Sequence, residues 1–475
     1  MKKKGGYTII LVLVYLGIFL VITGSLVGYV IVQKRAQYAK EDGNTALQIA
    51  EAGLDYYKWF LAHFPDDLQD GTGTGGPYVH DYDDPEGGTI GQFSLDVAGD
   101  SQCNIVHAIE ITSTGWSNDN PNIKRSVFGK YARPSVAEYA YILNSNVWAG
   151  ADRDITGPYH SNGGIRMDGT NNSTVTSGQT SWLCTSSFGC SPDSTEDGVF
   201  GAGPNSALWD FPATPIDFVG LTVDLVAMKD IANSDGLYFN PFGGNPERVG
   251  YHFIFLGDGT FDVYRVLNTD WVWAYHSSDQ AWHQDYEVIT NENFMGNYAI
   301  PPDCGLIFAS AKLWIEGVIS NKVTVVAANV QNPGIDLDMI LSGDITYTAY
   351  DGSVGLTAIA EDSVSVPLLS PDDMTLNGIF IAQLGNFGRN YYTTSGSHDV
   401  PSGYNSYVLR NSLTINGSIV SNGRVGTKWS CGGAYCSGYN TRVNTYDRNL
   451  ATDPPPLTPY VSNDFRFIEW LQVEP

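Results

Sequence analysis

Residues 2–35 read KKKGGYTIILVLVYLGIFLVITGSLVGYVIVQKR. Nothing between Tyr7 and Gln33 is charged, and Lys34 and Arg35 end the run. About 20 apolar residues, each rising about 1.5 Å in a helix, cross a bilayer. This run is long enough to do so. It is too long for a secretory signal, whose apolar core has roughly 7–15 residues and ends at a small-residue cleavage site. Lys2, Lys3 and Lys4 favour the cytoplasmic side, so the chain is expected to pass the membrane once, at about 7–33, with everything after Gln33 outside. Gly17, Gly24 and Gly28 are points where a second helix can pack closely.

The helical pattern continues in a different style. In KRAQYAKEDGNTALQIAEAGLDYYKWFLAHF (34–64), Ala46, Ile49, Ala50, Gly53, Leu54, Tyr57 and Leu61 recur at spacings of three and four. That is the stripe of an amphipathic helix. A continuous helix over 7–64 is roughly 85 Å long. Gly43 is its weak point and Pro65 its exit.

The rest of the chain divides by texture. Residues 65–88, PDDLQDGTGTGGPYVHDYDDPEGG, read as a long acidic loop. Asp66, Asp70, Asp81, Asp83 and Asp84 crowd it; no cofactor is expected and a solvated acidic loop is the main reading, with calcium as the alternative, although EF-hand spacing is absent. Residues 89–135 carry short alternating segments, which predict a small antiparallel sheet burying the helix stripe. Together these form an expected subdomain over 65–135.

From residue 136 onward, short β-branched segments alternate with Gly, Asn and Asp turns. Examples are DMILSGDITYT (338–348), MTLNGIFIAQ (374–383) and LTINGSIVSNGRVG (413–426). One such segment cannot bury its apolar face alone, but a stack can. The expected class is a mainly β head behind the long helix: a right-handed parallel β-helix or solenoid, with a β-sandwich as the alternative. The first solenoid part spans 136–203 and the second 305–475. Between them, 204–304 reads as an α+β insertion, with a hairpin turning at LGDGT (256–260). FRFIEWL (465–471) is expected to fold back as the solenoid's cap.

Composition excludes one class of partner. There are 51 acidic against 25 basic side chains, a formal charge of −26, and the basic residues do not cluster beyond the N-terminus. Nucleic-acid binding needs a positive surface, so it is not expected. Of six cysteines, Cys184 and Cys190 lie close together, as do Cys431 and Cys436, which suits local disulfides outside the cytoplasm. Cys103 and Cys304 are the pair left over.

Catalytic signals are weak. Asp152 and Asp154, and Asp336 and Asp338, are i, i+2 pairs that would share a strand face. Such pairs also arise by chance. His160 is read as structural. His252, His276 and His283 fit no zinc spacing. Trp148, Trp182, Trp271, Trp273 and Trp282 could bind a surface glycan or protein, with core packing as the default.

The N-terminus resembles that of type IV pilin-like proteins: a short basic leader ending in glycine, an aromatic residue, then a long apolar helix. ALQIAEAGLDYY (46–57) is similar to the helix of PilX-type minor pilins. The resemblance implies prepilin-peptidase cleavage between Gly6 and Tyr7, N-methylation of Tyr7, and packing of the helix among other pilin-like subunits. Leu11, Gly17, Gly24, Gly28, Ala46, Ala50, Glu51 and Gly53 would then be the filament-packing positions. Major pilins carry glutamate at the fifth mature position, which here is Leu11. That departure, with a large head, implies a minor or tip subunit on a bacterial membrane or pilus. SNGGI (161–165) and the YDRNL…PPP ending also look like the heads joined to such helices. The expectation is a non-enzymatic subunit in pilus assembly, tip structure or adhesion. The alternatives are a membrane-anchored β-helix carbohydrate-active enzyme, and a glycan-binding adhesin outside any filament.

Overall fold

The computed structural model describes residues 7–65, 67–218, 224–241, 243–332, 334–335 and 337–474. A long N-terminal apolar helix leads into a large β-rich part, which forms no closed barrel among the described residues. The chain divides into two compact units. One comprises the chain up to Asp100, Val106–Ala132 and the segment from Arg466. The other comprises Ser101–Ile105 and Arg133–Phe465.

In the first unit, helix α1 (Tyr7–His63) runs unbroken for 57 residues. Gly43 does not interrupt it. Its second half lies on an antiparallel sheet of β1 (Tyr78–Asp83), β2 (Thr89–Gln102), β3 (Ile105–Ser117), β4 (Lys124–Ala132) and the C-terminal strand Arg466–Val473, adjacent in that order. Alternation along the strands decides which side chains meet the helix. Phe93, Leu95, Ile111 and Val127 pack with Ile49, Ala50, Leu54, Tyr57, Phe60 and Leu61. Gly115 permits the approach. A Cβ there would run into the Ala46 carbonyl oxygen and lie 2.5 Å from the Ala50 nitrogen.

Two expectations fail in this unit. The acidic stretch over 65–88 is not all loop, because YVHDYD forms β1 with alternate burial. Its Asp and Gly neighbours mask a period-two pattern of Tyr78, His80 and Tyr82. The C-terminal segment does not cap a stack of strands. It pairs with β4 in antiparallel register, Phe467 opposite Tyr131 and Leu471 opposite Phe128, and so covers that strand's free edge.

The second unit is built on parallel pairings. One ladder runs through Leu237–Phe239, Leu306–Ala309, Lys322–Ala327, Gly355–Ala360, Asp373–Ala382 and Leu409–Ser421. It continues through Tyr141–Leu143, Tyr159–Ser161, Val175–Ser177 and Trp209–Asp210. The spatial order is therefore not the chain order. The segments first in sequence stack onto Ile419–Ser421, and the chain then starts again from the far end at Leu237. The inward faces form one continuous apolar core, including Phe253, Ile315, Leu341, Leu376 and Ile415.

The Gly-centred unit read in the sequence falls in register: Asn377–Gly378 lies beside Asn416–Gly417. Gly378 and Gly417 have φ of 151° and 137°, a conformation that L side chains rarely adopt. The segment 204–304 is not a separate insertion. Leu237–Phe239 and Gly250–Leu256 are rungs, the latter parallel to Lys312–Ile319. The antiparallel hairpin Thr260–His276 with Ala281–Ala299 packs back on this unit, Val272 and Ala274 clustering with Leu368 and Tyr392, and Val266 with Trp314 and Ile340. The turn over LGDGT forms between Gly250–Leu256 and Thr260–His276. Disulfides join Cys103 to Cys304, Cys184 to Cys190 and Cys431 to Cys436.

Candidate functional site: an exposed apolar helix

The first half of α1 combines helical order with exposed apolar surface. No residue from Tyr7 to Asp42 is buried, and twenty large apolar side chains between Tyr7 and Val32 are exposed. Burying one such side chain is worth about 1.5–3 kcal/mol, so leaving all of them in water would forgo on the order of 30 kcal/mol. Exposed apolar surface on that scale marks a membrane or protein interface. Among the described residues this is the one helix long and apolar enough to cross a membrane.

Three of its polar side chains bond within the helix. Thr23 Oγ1 donates to the Phe19 carbonyl at 2.6 Å, Ser25 Oγ to that of Val21 at 2.9 Å, and Gln33 Nε2 to the Tyr29 hydroxyl at 2.8 Å. Internal satisfaction of this kind is what a lipid environment demands. Gly17, Gly24 and Gly28 have nothing of this chain within 4 Å of where a Cβ would stand, and Leu11 is exposed.

The lower half differs. Ala46, Ala50 and Gly53 were expected among the filament-packing residues, but all three are buried on the chain's own sheet. A Cβ at Gly53 would collide with Ser113 Oγ and lie 2.9 Å from the Phe93 ring. Their small size serves this contact and leaves no face for a neighbour. Glu51 is half-buried beside them. Tyr7 is exposed at the start of the helix, and Gly6 lies outside the described residues.

The acidic candidates do not converge on an ion. Asp70 is buried between the Tyr56 hydroxyl, 3.1 Å away, and His80 Nε2, at 2.6 Å. Burial and this carboxylate push the Tyr56 hydroxyl up to about 12. Asp81 accepts from Gln92, Asp83 from Thr89, and Asp84 from the Glu86 N–H. Asp66 lies outside the described residues. No three of these described carboxylates bring ligand atoms within 4.8 Å of one another.

The remaining candidates serve mainly as scaffold. Asp152 is bridged by Lys428 at 2.9 Å and Arg442 at 2.8 Å. These cations outweigh partial burial and hold its carboxyl down at about 2, which suits an ion pair and not a general acid. Asp154 accepts from the Thr170 hydroxyl. Asp336 lies outside the described residues. His160 is buried between Thr176 and Asn162, and burial holds its pKa down. The rings of His276 and His283 lie 4.5 Å apart, whereas His252 bridges Glu292 and Glu316. Trp182 is buried, Trp273 and Trp282 are half-buried, and Trp148 and Trp271 are exposed.

Sequence reasoning missed Glu287 and Lys312, which are buried and line a polar cavity of about 400 Å³. No motif marks them. The available signal was a charge inside an otherwise apolar strand segment, in YEVIT (286–290) and AKLWI (311–315).

No family model matches the chain, and no curated protein does. Among solved structures, the chain is similar to the competence-associated pilin ComZ from Thermus thermophilus. The match covers 91% of this chain and 97% of that one, at 12% identity and a TM-score of 0.30. A likeness at that level carries no argument about this chain.

Proposed function

We propose that the chain is a non-enzymatic, pilin-like surface subunit. The observation that carries this reading is the exposed, charge-free half of α1 continuing without a break into the helix half that its own sheet buries. Such an element can rest in a membrane before assembly and pack among other pilin-like helices afterwards. Gly17, Gly24 and Gly28 lie free for close helix contact. The KKKGG leader before Tyr7 supports cleavage by a prepilin peptidase after Gly6 and methylation of Tyr7.

Leu11 offers no carboxylate to pair with a neighbour's amine, which favours a minor or tip subunit over a repeated one. In that role the β-rich part faces outward for adhesion or filament priming. The basic leader puts the N-terminus in the cytoplasm, and three disulfides suit an oxidising compartment for the head. The parallel ladder supports reading the second unit as a β-helix. The acidic loop needs no calcium in this reading.

The test is the mass of the mature chain. In cells with an active prepilin peptidase, the protein is expected to begin at Tyr7 and carry one added methyl group. In cells lacking the peptidase it keeps residues 1–6. A chain still beginning at Met1 in the presence of the peptidase refutes the proposal.

A further inference from the structure

The hairpin strand Ala281–Ala299 carries Asp285 and Glu287 on either side of Tyr286, and a bulge opposite Asp270 and Trp271 leaves Glu287 without a cross-strand partner. Both carboxylates line the cavity of about 400 Å³, together with His276, Lys312, Asp338 and Asn390. The volume falls in the lower part of the range for small-molecule sites, roughly 300–1,000 Å³. Tyr275 and Trp282 of the hairpin adjoin the cavity-lining His276 and His283. The Tyr275 and Trp282 rings meet each other at 5.7 Å, and Trp282 stacks on His398 at 4.8 Å. These contacts fix the hairpin that carries the cavity wall.

Two lining groups are more than nine-tenths buried and only partly bonded. Glu287 is 6% exposed. Its Oε2 accepts from the Tyr392 hydroxyl at 2.9 Å and from the Leu368 N–H at 3.3 Å. Among the described residues, Oε1 accepts no hydrogen bond. Lys312 is 7% exposed, and its ammonium donates to the Tyr286 carbonyl at 3.1 Å. The nearest carboxylate oxygen, of Asp338, is 3.8 Å away, beyond hydrogen-bonding distance. A buried ammonium has three donors to satisfy.

Beside them Asp285 is held in place by His276 at 2.8 Å and Asn390 at 2.9 Å. Burial and the nearby Asp285 charge push the Glu287 carboxyl up to about 7, although Lys312 opposes them. Near neutrality that carboxyl can therefore both donate and accept.

The chemistry narrows the occupant. The lining is mainly polar, which disfavours an apolar molecule. Its carboxylates outnumber its single lysine, which disfavours an anion. His276, Asp285, Glu287 and Asp338 do not bring three ligand atoms within 4.8 Å of one another, so they do not form a ready cage for a bare cation. A neutral polyol meets every condition, since each hydroxyl donates to a carboxylate and accepts from an ammonium or amide. We propose that this cavity binds an uncharged mono- or disaccharide through Glu287, Lys312 and the Asp285–Asn390 pair. The inference stands apart from the anchoring role of α1.

The test uses the full chain in a sugar-free detergent. Saturation-transfer NMR and calorimetry are run with glucose, galactose, mannose, N-acetylglucosamine, lactose and maltose, and with galacturonate as the anionic control. At least one neutral sugar is expected to bind saturably, more tightly than galacturonate. Asn390→Ala removes one bond from a half-buried site, and Lys312→Met removes the ammonium. Each is expected to weaken binding about tenfold or more, while Asp154→Asn leaves it unchanged. Near-UV circular dichroism checks that each variant is folded. The proposal is overturned if no neutral sugar binds saturably, if galacturonate binds best, or if folded Asn390→Ala binds as tightly as the parent.

Discussion

Gly115→Ala tests the joint between helix and sheet. The added methyl would collide with the Ala46 carbonyl oxygen and lie 2.5 Å from the Ala50 nitrogen. These are backbone atoms of a regular helix and cannot rotate away, so α1 must lift from β3. A gap of 0.5–1 Å forfeits a quarter to a half of each dispersion contact. The contacts at stake belong to Ile49, Ala50, Leu54, Tyr57, Phe60 and Leu61, the larger of which are worth about 1.5–3 kcal/mol each when buried. Overpacking typically costs about 1–3 kcal/mol and occasionally more. The lower backbone freedom of alanine in the unfolded chain returns about 0.4–1 kcal/mol. Because the colliding atoms are backbone, the upper part of the overpacking range applies, about 2–3 kcal/mol, and a net loss of about 1–2.6 kcal/mol follows. Hydrogen-exchange mass spectrometry should then show amides of residues 46–61 exchanging about 5–80 times faster. Gly17→Ala, with open space around it, is the control and should leave those amides unchanged. Parent-like exchange in folded Gly115→Ala would refute the claim that this glycine sets the helix–sheet distance.

Glu287 makes the stability of the second unit pH-dependent. Its carboxyl is raised from 4.5 to about 7 in the folded chain, so the native state holds the proton more tightly. That contribution is complete below about pH 4.5 and is lost as pH rises through about 7, on the order of 3 kcal/mol in all. Urea unfolding of Glu287→Gln should lack this slope, and an identical slope would count against it. Replacing Cys103 and Cys304 with serine opens a loop closed across 201 positions, a chain-entropy effect of about 5 kcal/mol. Opening the Cys184–Cys190 link, across 6 positions, should cost about 2 kcal/mol, and denaturant midpoints will rank the two. Gly28→Leu should leave exchange at residues 46–61 unchanged but reduce cysteine cross-linking between neighbouring apolar helices. Unchanged cross-linking would exclude Gly28 from that contact.

Local pattern carried much of the architecture. The charge-free run and the stripe from Ala46 to Leu61 define one helix because both obey helical spacing over many turns. The Asn–Gly strand units disclosed the parallel ladder because a stack repeats its own chemistry. What stayed hidden depends on partners distant in sequence. Nothing in FRFIEWL states that β4 has a free edge, and no period reveals that Tyr141–Leu143 stacks on Ile419–Ser421. Ala46, Ala50 and Gly53 illustrate a different limit. Small residues announce close approach, but their spacing is the same whether the approaching surface is a neighbour's helix or the chain's own sheet. Glu287 and Lys312 escaped because a lone charge in an apolar strand has no signature until the surrounding walls are known.

The strand Arg466–Val473 has a consequence for biogenesis. In the anchored reading proposed above, the helix would enter the membrane early in synthesis, while its own sheet lacks the strand Arg466–Val473 until residues 133–465 have been made. A chain stopped anywhere in 133–465 leaves β4 with a bare, pairing-competent edge. In that reading, completion of the sheet would report that the second unit has been delivered. A protease that recognises the open edge of β4 could remove truncated copies before they reach any assembly.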